Sequence, residues 1–177
     1  MKNRKILGTV KAALVAAIYA VLTSILWEFS SLAVQVRVSE ALSVLPAFSG
    51  ASVAGLFAGC LISNLLRGNF IDAVFGSLTT LIAAWLGRVI YKKARCKGRV
   101  YLMLLPSVIF NAITVPLILY YGYGMSSFAG FEGTWAVLGI YSLSVLIGQG
   151  ISCYALGIPL YKILEKIDEK THLISLE

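Results

Sequence analysis

Long apolar runs separated by short polar segments dominate the pattern of this chain. Four runs exceed the roughly 20 residues that an α-helix needs to cross a bilayer: Ile6–Trp27, Ile71–Tyr91, Val100–Tyr121 and Thr134–Leu164. A fifth apolar stretch, Val38–Leu66, is interrupted at Pro46 to Gly50. This interruption is typical of a turn, because proline removes a backbone donor and clashes with the preceding turn. The stretch is therefore either one kinked span or two short ones.

The distribution of positive charge favours two short spans, and so six in total. With six spans, thirteen of the fifteen lysines and arginines lie on the cytoplasmic side, and only Arg37 and Arg67 lie outside. With five spans, five lie inside and ten outside. Because orientation follows this bias, we predict an all-α integral membrane protein with both termini in the cytoplasm. It forms a single transmembrane domain over residues 1–177, with six transmembrane helices at about 6–29, 38–48, 50–66, 71–93, 100–121 and 134–166.

The two short helices need shielding from lipid. At about 1.5 Å per residue, each is only about 20 Å long, against a hydrocarbon core of roughly 30 Å. Their sequence suits such shielding, because Ala54-Gly55 and Ala58-Gly59 repeat small residues four positions apart. Small residues at this spacing let helix backbones approach closely. We interpret the repeat as a packing surface.

Composition supports a membrane protein and gives little sign of catalysis. Hydrophobic residues make up 59% of the chain and charged residues 13%, whereas soluble domains are about 45–50% apolar. The net charge of +7 therefore indicates the cytoplasmic membrane surface and not nucleic acid. The three cysteines lie far apart and form no metal or disulfide spacing. Without a hydrolase motif or an ATP-binding P-loop, no enzymatic activity, cofactor or metal is expected.

A few polar groups remain as candidates for a binding site in the outer half of the protein. Arg37 and Glu40 each cost about 2.5–3.5 kcal/mol at a bilayer centre, so they either pair with each other or serve a site. Residues 33–38 alternate apolar and polar positions, as an extended lid would. Asp72 is alternatively a helix cap, and Asn111 and Gln149 alternatively bond neighbouring helices.

Three blocks carry a resemblance to a known family. In this order, Val36–Leu42, Gly55–Leu66 and Asp72–Leu81 resemble the QueT family. Its members are substrate-binding S components of energy-coupling factor transporters, linked to uptake of queuosine precursors. The resemblance implies a multi-pass protein of the cell membrane with six helices and a site near the outer face under the first loop. It also implies assembly with a transmembrane coupling subunit and two ATPases.

The implied substrate is a 7-deazaguanine such as pre-queuosine or queuine. It presents a ring N–H beside an exocyclic amine, a donor pair that one carboxylate accepts through both oxygens. Glu40 and Asp72 are the candidate carboxylates, the amides bond the remaining ring edge, and an aromatic side chain stacks on the ring. From position and chemistry, we expect substrate contacts from Arg37, Glu40, Asn64, Asp72, Asn111, Trp135, Tyr141 and Gln149.

The first helix offers a surface for the coupling subunit. S components are similar in using an Ala-x-x-x-Ala face on this helix, and here the expected docking residues are Ala12, Ala13, Ala16, Ala17 and Ala20. Internal packing is the alternative, since small residues serve both purposes. For the whole protein, the alternative to a binding subunit is a self-sufficient oligomeric channel or secondary carrier of small solutes.

Overall fold

The computed structural model describes residues 2–26, 36–128 and 130–171 of the chain, and almost all of them are helical. The helices are α1 Lys2–Ile25, α2 Val38–Ala47, α3 Ala51–Leu66, α4 Ser77–Lys93, α5 Arg99–Leu117, α6 Thr134–Gly150 and α7 Gly157–Thr171. A short antiparallel hairpin, β1 Ser127–Phe128 and β2 Phe131–Glu132, lies between α5 and α6. The end of the first predicted helix and most of the predicted lid fall within residues 27–35, outside the described residues.

Four helical stretches are long and apolar enough to cross a membrane: Lys5–Ile25, Asp72–Lys93, Arg99–Gly122 and Thr134–Lys170. Helices α2 and α3 are also apolar but shorter. The prediction of an all-helical protein with several candidate membrane spans is confirmed. The count of six spans and the cytoplasmic termini stay predictions.

Three of these stretches contain a π-helical segment, in which one extra residue widens the turn. Asp72–Gly76 precedes α4, Ile118–Gly122 follows α5, and Ile151–Leu156 joins α6 to α7. Such segments are rare and often occur at functional sites. Here the first segment contains Asp72 and the third begins two positions after Gln149, and both of these are predicted site residues.

Helix α2 lies in the middle of the bundle. It is a 3-10 helix of 10 residues that packs against α1, α3, α4, α5, α7 and the π-helical segment Ile151–Leu156. The 3-10 form rises about 2.0 Å per residue, so it reaches further than an α-helix of equal length. Pro46 lies near its end, and the Arg88 guanidinium donates to the Pro46 carbonyl oxygen at 2.6 Å. Protein on all sides provides the expected shielding of this short helix.

Helices α1 and α3 approach closely through the predicted small-residue surface. A Cβ atom added at Gly55 would lie 2.7 Å from the Ala12 carbonyl oxygen. One added at Gly59 would lie 2.7 Å from the Cβ atom of Tyr19. Both distances are far below ordinary van der Waals contact, so only glycine fits at these positions. The interpretation of the repeat as a packing surface is confirmed.

The outer faces of the long helices remain apolar. Large exposed side chains include Leu14 on α1, Phe75 beside α4, and Ile113 on α5. Contiguous apolar surface of this kind marks contact with a membrane or with another protein. The buried interior instead contains many polar side chains, including Glu40, Asn64 and Gln149. Soluble proteins show the opposite arrangement, with polar side chains outside and apolar ones inside. The polar side chains that could bind a ligand are therefore in the interior of this protein.

We predict that Gly59→Ala destabilises the protein while Gly139→Ala does not. The new methyl group at residue 59 would overlap α1, an overpacking that costs about 1–3 kcal/mol. At Gly139 nothing lies within 4 Å of the new atom, so better helix propensity should leave stability unchanged or raise it by about 0.5–1 kcal/mol. Thermal unfolding of the two purified variants measures the difference. Equal unfolding midpoints would contradict the close α1–α3 contact.

Candidate functional site

The Glu40 carboxylate is the centre of a buried hydrogen-bond network, and only 1% of this residue is exposed. The Tyr19 hydroxyl donates to Oε1 at 2.5 Å, and the Gln149 amide donates to Oε2 at 2.8 Å. The hydroxyls of Ser107 and Ser43 donate to Oε2 at 3.2 and 3.4 Å. Side chains from α1, α2, α5 and α6 thus converge on one carboxylate. All four donors are neutral.

Local structure holds Glu40 in this place. The residue lies in the first turn of α2, and its backbone N–H donates to the Arg37 carbonyl at 2.9 Å. The positive end of a helix stabilises a nearby anion by about 0.3–1 kcal/mol. The Cys153 thiol approaches the backbone oxygen of Glu40 at 3.8 Å. A buried charge is costly unless hydrogen-bonded, and here both carboxylate oxygens have donors.

Two further amides extend the polar interior. The Asn64 amide nitrogen donates to the carbonyl oxygen of Cys60 at 3.0 Å, and the Thr80 hydroxyl contacts the Cys60 sulfur at 3.6 Å. The second of these contacts joins α3 to α4. The Asn111 amide donates to the Ser107 carbonyl at 2.9 Å. Asn111 therefore lies one helical turn from a serine that bonds Glu40.

A second group of charged residues surrounds Arg37. Among the charged groups that act on the Arg37 guanidinium, Asp72 acts most strongly, ahead of Glu40. The charges of Asp72 and Arg37 also both act on Tyr123, in the loop after α5. Partial burial and the positive charge of Arg37 lower the pKa of Arg67 at the end of α3. Asp72 is therefore the carboxylate whose charge acts most strongly on Arg37. The hydrogen-bond donors of Glu40 in the described residues are four neutral side chains and not Arg37, its predicted alternative partner.

Two buried polar atoms stand out because they have no hydrogen-bond partner among the described residues. They are the Oδ1 atom of Asp72 and the hydroxyl of Ser39. Asp72 is 7% exposed, and Ser39 is also buried. An unpaired buried polar atom costs about 1–3 kcal/mol, which a ligand group can recover. The helix begins at Phe70, two residues before Asp72, so Asp72 is not its N-cap residue, which was the alternative role.

The two predicted aromatic residues lie in opposite environments. Trp135, at the start of α6, is 87% exposed, whereas Tyr141, two turns further along, is 1% exposed. Only Tyr141 is therefore inside the bundle with the polar groups. Trp135 lies on the outer surface, as in the aromatic belts of membrane interfaces. As contacts to a substrate, all eight residues stay predictions.

Four members of the network were not predicted from the sequence: Tyr19, Ser43, Ser107 and Cys153. Three of them lie one helical turn from a predicted residue, since Ser43 follows Glu40 by three positions and the other two are four positions from Asn111 and Gln149. Residues three or four apart share a helix face, so this spacing was a usable signal. The signal for Tyr19 was weaker, since it consists only of a hydroxyl group in the middle of an apolar helix.

The predicted docking alanines of α1 separate into two groups. Ala16 is buried against α3, and Ala12 and Ala20 are partly buried. Ala13 and Ala17 are exposed. The close contact with α3 therefore occupies part of the predicted surface, and a partner can reach only the exposed part. In the described residues, no three His, Cys, Asp or Glu side chains come together as metal ligands.

Comparison with known proteins identifies relatives of the chain. The family model of the QueT transporter matches residues 9–166. The queuosine precursor transporter QueT of Lactococcus lactis subsp. cremoris (strain MG1363) is 35% identical over 95 residues, which are 52% of this chain and 56% of that protein. The matched region thus spans little more than half of this relative. No solved structure matches the chain.

We predict that Tyr19→Phe lowers the free energy of unfolding by about 1.5–3 kcal/mol, because it removes a hydrogen bond to a charged group. Tyr154→Phe is the matched control. Its hydroxyl donates at 3.1 Å to a backbone carbonyl at an exposed position, so its loss should cost no more than about 0.5 kcal/mol. Unfolding of the two purified variants without ligand measures both values. If both variants unfold alike, Tyr19 does not support a buried charge.

Proposed function

This chain belongs to the QueT transporter family, and on that premise we propose that it is the substrate-binding subunit of an ATP-driven importer of the energy-coupling factor type. It binds a queuosine precursor, a 7-deazaguanine, at the extracellular side of the membrane. Membership of a transporter family points to a protein that is not an enzyme. The substrate class is supported by the name of the relative in Lactococcus lactis, a queuosine precursor transporter.

The observation that carries the proposal is the unpaired, buried Oδ1 atom of Asp72, a carboxylate whose charge also acts on Arg37. A deazaguanine ring presents adjacent N–H donors, and the aminomethyl group of a precursor adds a positive charge. A buried carboxylate with a free oxygen suits both kinds of donor, since hydrogen bonds to charged groups are worth about 1.5–3 kcal/mol. The positive charge of Arg37 offsets the negative charge of the Asp72 carboxylate.

The two predicted carboxylates receive different roles in this proposal. The oxygens of Glu40 already accept bonds from α1, α2, α5 and α6, so Glu40 is the framework of the site. Asp72 has an oxygen that accepts no hydrogen bond from the described residues, and in this proposal it contacts the substrate directly. The amides of Asn64, Asn111 and Gln149 bond the ring edge, and Tyr141 stacks on the ring face.

Energy for uptake comes from partner subunits in this proposal, because the chain has no ATP-binding P-loop. Helix α1 is the proposed contact with the coupling subunit. The side of α1 away from α3 is exposed and apolar, with Ala13 and Ala17 beside Leu14, Ile18 and Val21. Small residues on such a face let a second helix approach closely.

The proposed orientation places both chain ends in the cytoplasm of a cell that carries this protein in its plasma membrane. The support is the charge distribution. Six basic residues lie within Arg88–Arg99, and most others lie near the two termini. Lysine and arginine collect on the cytoplasmic side. The Asp72 region then belongs to the opposite, extracellular end of the bundle.

We expect Asp72→Asn to weaken the binding of queuine or pre-queuosine by about tenfold or more, because a charged partner is lost in a buried site. The exposed Glu169→Gln change on α7 is the control for loss of a carboxylate and should leave the affinity unchanged. Isothermal titration of the purified monomer measures the affinities, and unfolding without ligand checks that both variants are folded. Equal affinities for wild type and Asp72→Asn would remove Asp72 from the site.

We expect Ala17→Leu to weaken assembly with the coupling subunit while solute binding persists, because the added bulk separates helices that should meet closely. Ala136→Leu, at an exposed position of α6, is the matched control and should assemble normally. Co-purification with the coupling subunit measures assembly. Normal assembly of Ala17→Leu would contradict the docking assignment. Transport by the chain alone in vesicles would instead establish the self-sufficient carrier.

A further inference from the structure

A cavity lies at the basic end of the bundle, and none of the predicted site residues lines it. It has a volume of about 520 Å³, and its walls come from the turn between α4 and α5 and from one face of α7. Four cationic side chains line it, Arg95, Lys97, Arg99 and Lys162, against one carboxylate, Glu165. We call this cavity the basic cleft. Its charge makes an anion the natural ligand.

The floor of the basic cleft is apolar. It contains the buried side chains of Val100, Ile158 and Tyr161. The apolar stretch Arg99–Gly122, a candidate membrane span, begins at the same level. The cleft therefore combines a cationic rim with an apolar floor where a helix enters the membrane.

The single carboxylate of the cleft is already engaged. Glu165 accepts a hydrogen bond from the Tyr161 hydroxyl at 2.7 Å, and that hydroxyl lies 2.7 Å from the hydroxyl of Tyr91. The Arg99 guanidinium lies over the Tyr91 ring, 4.2 Å from its centre. These contacts order one side of the cleft. They leave the other cations to face the cavity.

Three cations of the rim have no counter-ion in the part of the chain that the structure describes. Within the ranges that the structure describes, Arg95, Lys97 and Lys162 form no ion pair. All three are exposed, on two different parts of the chain. Converging positive groups of this kind bind phosphate oxygens through charge-assisted hydrogen bonds.

We propose that the basic cleft binds a phosphate group at the membrane surface, presented by the headgroup of an anionic phospholipid. The rim cations contact the phosphate, and the apolar floor leads toward the hydrocarbon region, where the acyl chains remain. Basic pockets between transmembrane helices are known to hold anionic headgroups. The apolar floor favours a lipid over free phosphate. This site is separate from the proposed solute site and does not depend on it.

The test uses the full-length purified protein, stripped of lipid in a neutral detergent. Short-chain phosphatidylglycerol, phosphatidylcholine of the same chain length, and inorganic phosphate are titrated separately, and the thermal unfolding midpoint is followed. A ligand that binds the folded state raises that midpoint in a concentration-dependent way. We expect phosphatidylglycerol to stabilise the wild type at concentrations where the other two do not.

Charge-removing variants locate the binding. The cleft variant carries Arg95→Gln, Lys97→Gln and Lys162→Gln, and its affinity for phosphatidylglycerol should fall by at least about tenfold. The control variant removes the same charge at exposed positions outside the cleft and should bind normally: Lys93→Gln, Lys166→Gln and Lys170→Gln.

A second variant keeps the proposal testable if the cleft variant does not fold. Glu165→Gln removes the only carboxylate of the cleft lining and still accepts the hydrogen bond from Tyr161. It should strengthen phosphatidylglycerol binding by about fivefold, the effect of roughly one charge near a membrane surface. Unchanged affinity in this variant would overturn the proposal.

Other outcomes also overturn it. Equal losses in the cleft and control variants would indicate general charge attraction, and equal binding of phosphatidylcholine would indicate a site for acyl chains alone. Inorganic phosphate that binds as tightly as phosphatidylglycerol would make the cleft a site for free anions. If the cleft variant keeps its lipid affinity but loses assembly with the coupling subunit, the cleft is a protein contact.

Discussion

A buried carboxylate in the middle of an apolar bundle constrains the rest of this structure. Only 1% of Glu40 is exposed, so the donors for its carboxylate have to come from the protein. The donors are Tyr19, Ser43, Ser107 and Gln149, which belong to four different helices. Helix α2 must therefore lie at the centre, within reach of α1, α5 and α6. Its burial and its many neighbours follow from this requirement.

The sequence predicted those features that depend on local properties. The length of the apolar runs is enough to indicate the long candidate spans, and the spacing of Gly55 and Gly59 indicates a close contact between helices. The 3-10 form of α2 and the π-helical segments were not predictable, because they arise where packing and hydrogen bonding between helices override local preference. The hydrogen-bond network around Glu40 was not predictable either. Gln149 was expected in the site, but its bond to Glu40 joins residues 109 positions apart, a distance over which helix periodicity carries no information.

The two interior carboxylates show why residue type alone does not assign a role. Glu40 and Asp72 are both acidic and buried, the charges of both act on Arg37, and the sequence offers no reason to separate them. Their hydrogen bonding separates them, since one is fully bonded and the other has a free oxygen. A saturated carboxylate rigidifies its surroundings, whereas an unsaturated one keeps capacity for a ligand. Trp135 and Tyr141 give a similar example, because both are aromatic but the first is exposed and the second is buried.

The shortness of α2 and α3 has a consequence for how the protein is made. The 10 residues of α2 extend about 20 Å in the 3-10 form, and the 16 residues of α3 about 24 Å, both less than the roughly 30 Å of the hydrocarbon core. If α2 and α3 cross the membrane as predicted, neither is long enough to do so by itself. Two donors of Glu40, Ser107 and Gln149, belong to α5 and α6, which are synthesised later, so stable integration of the pair would then wait for them. The order of events in the membrane differs from the order along the chain.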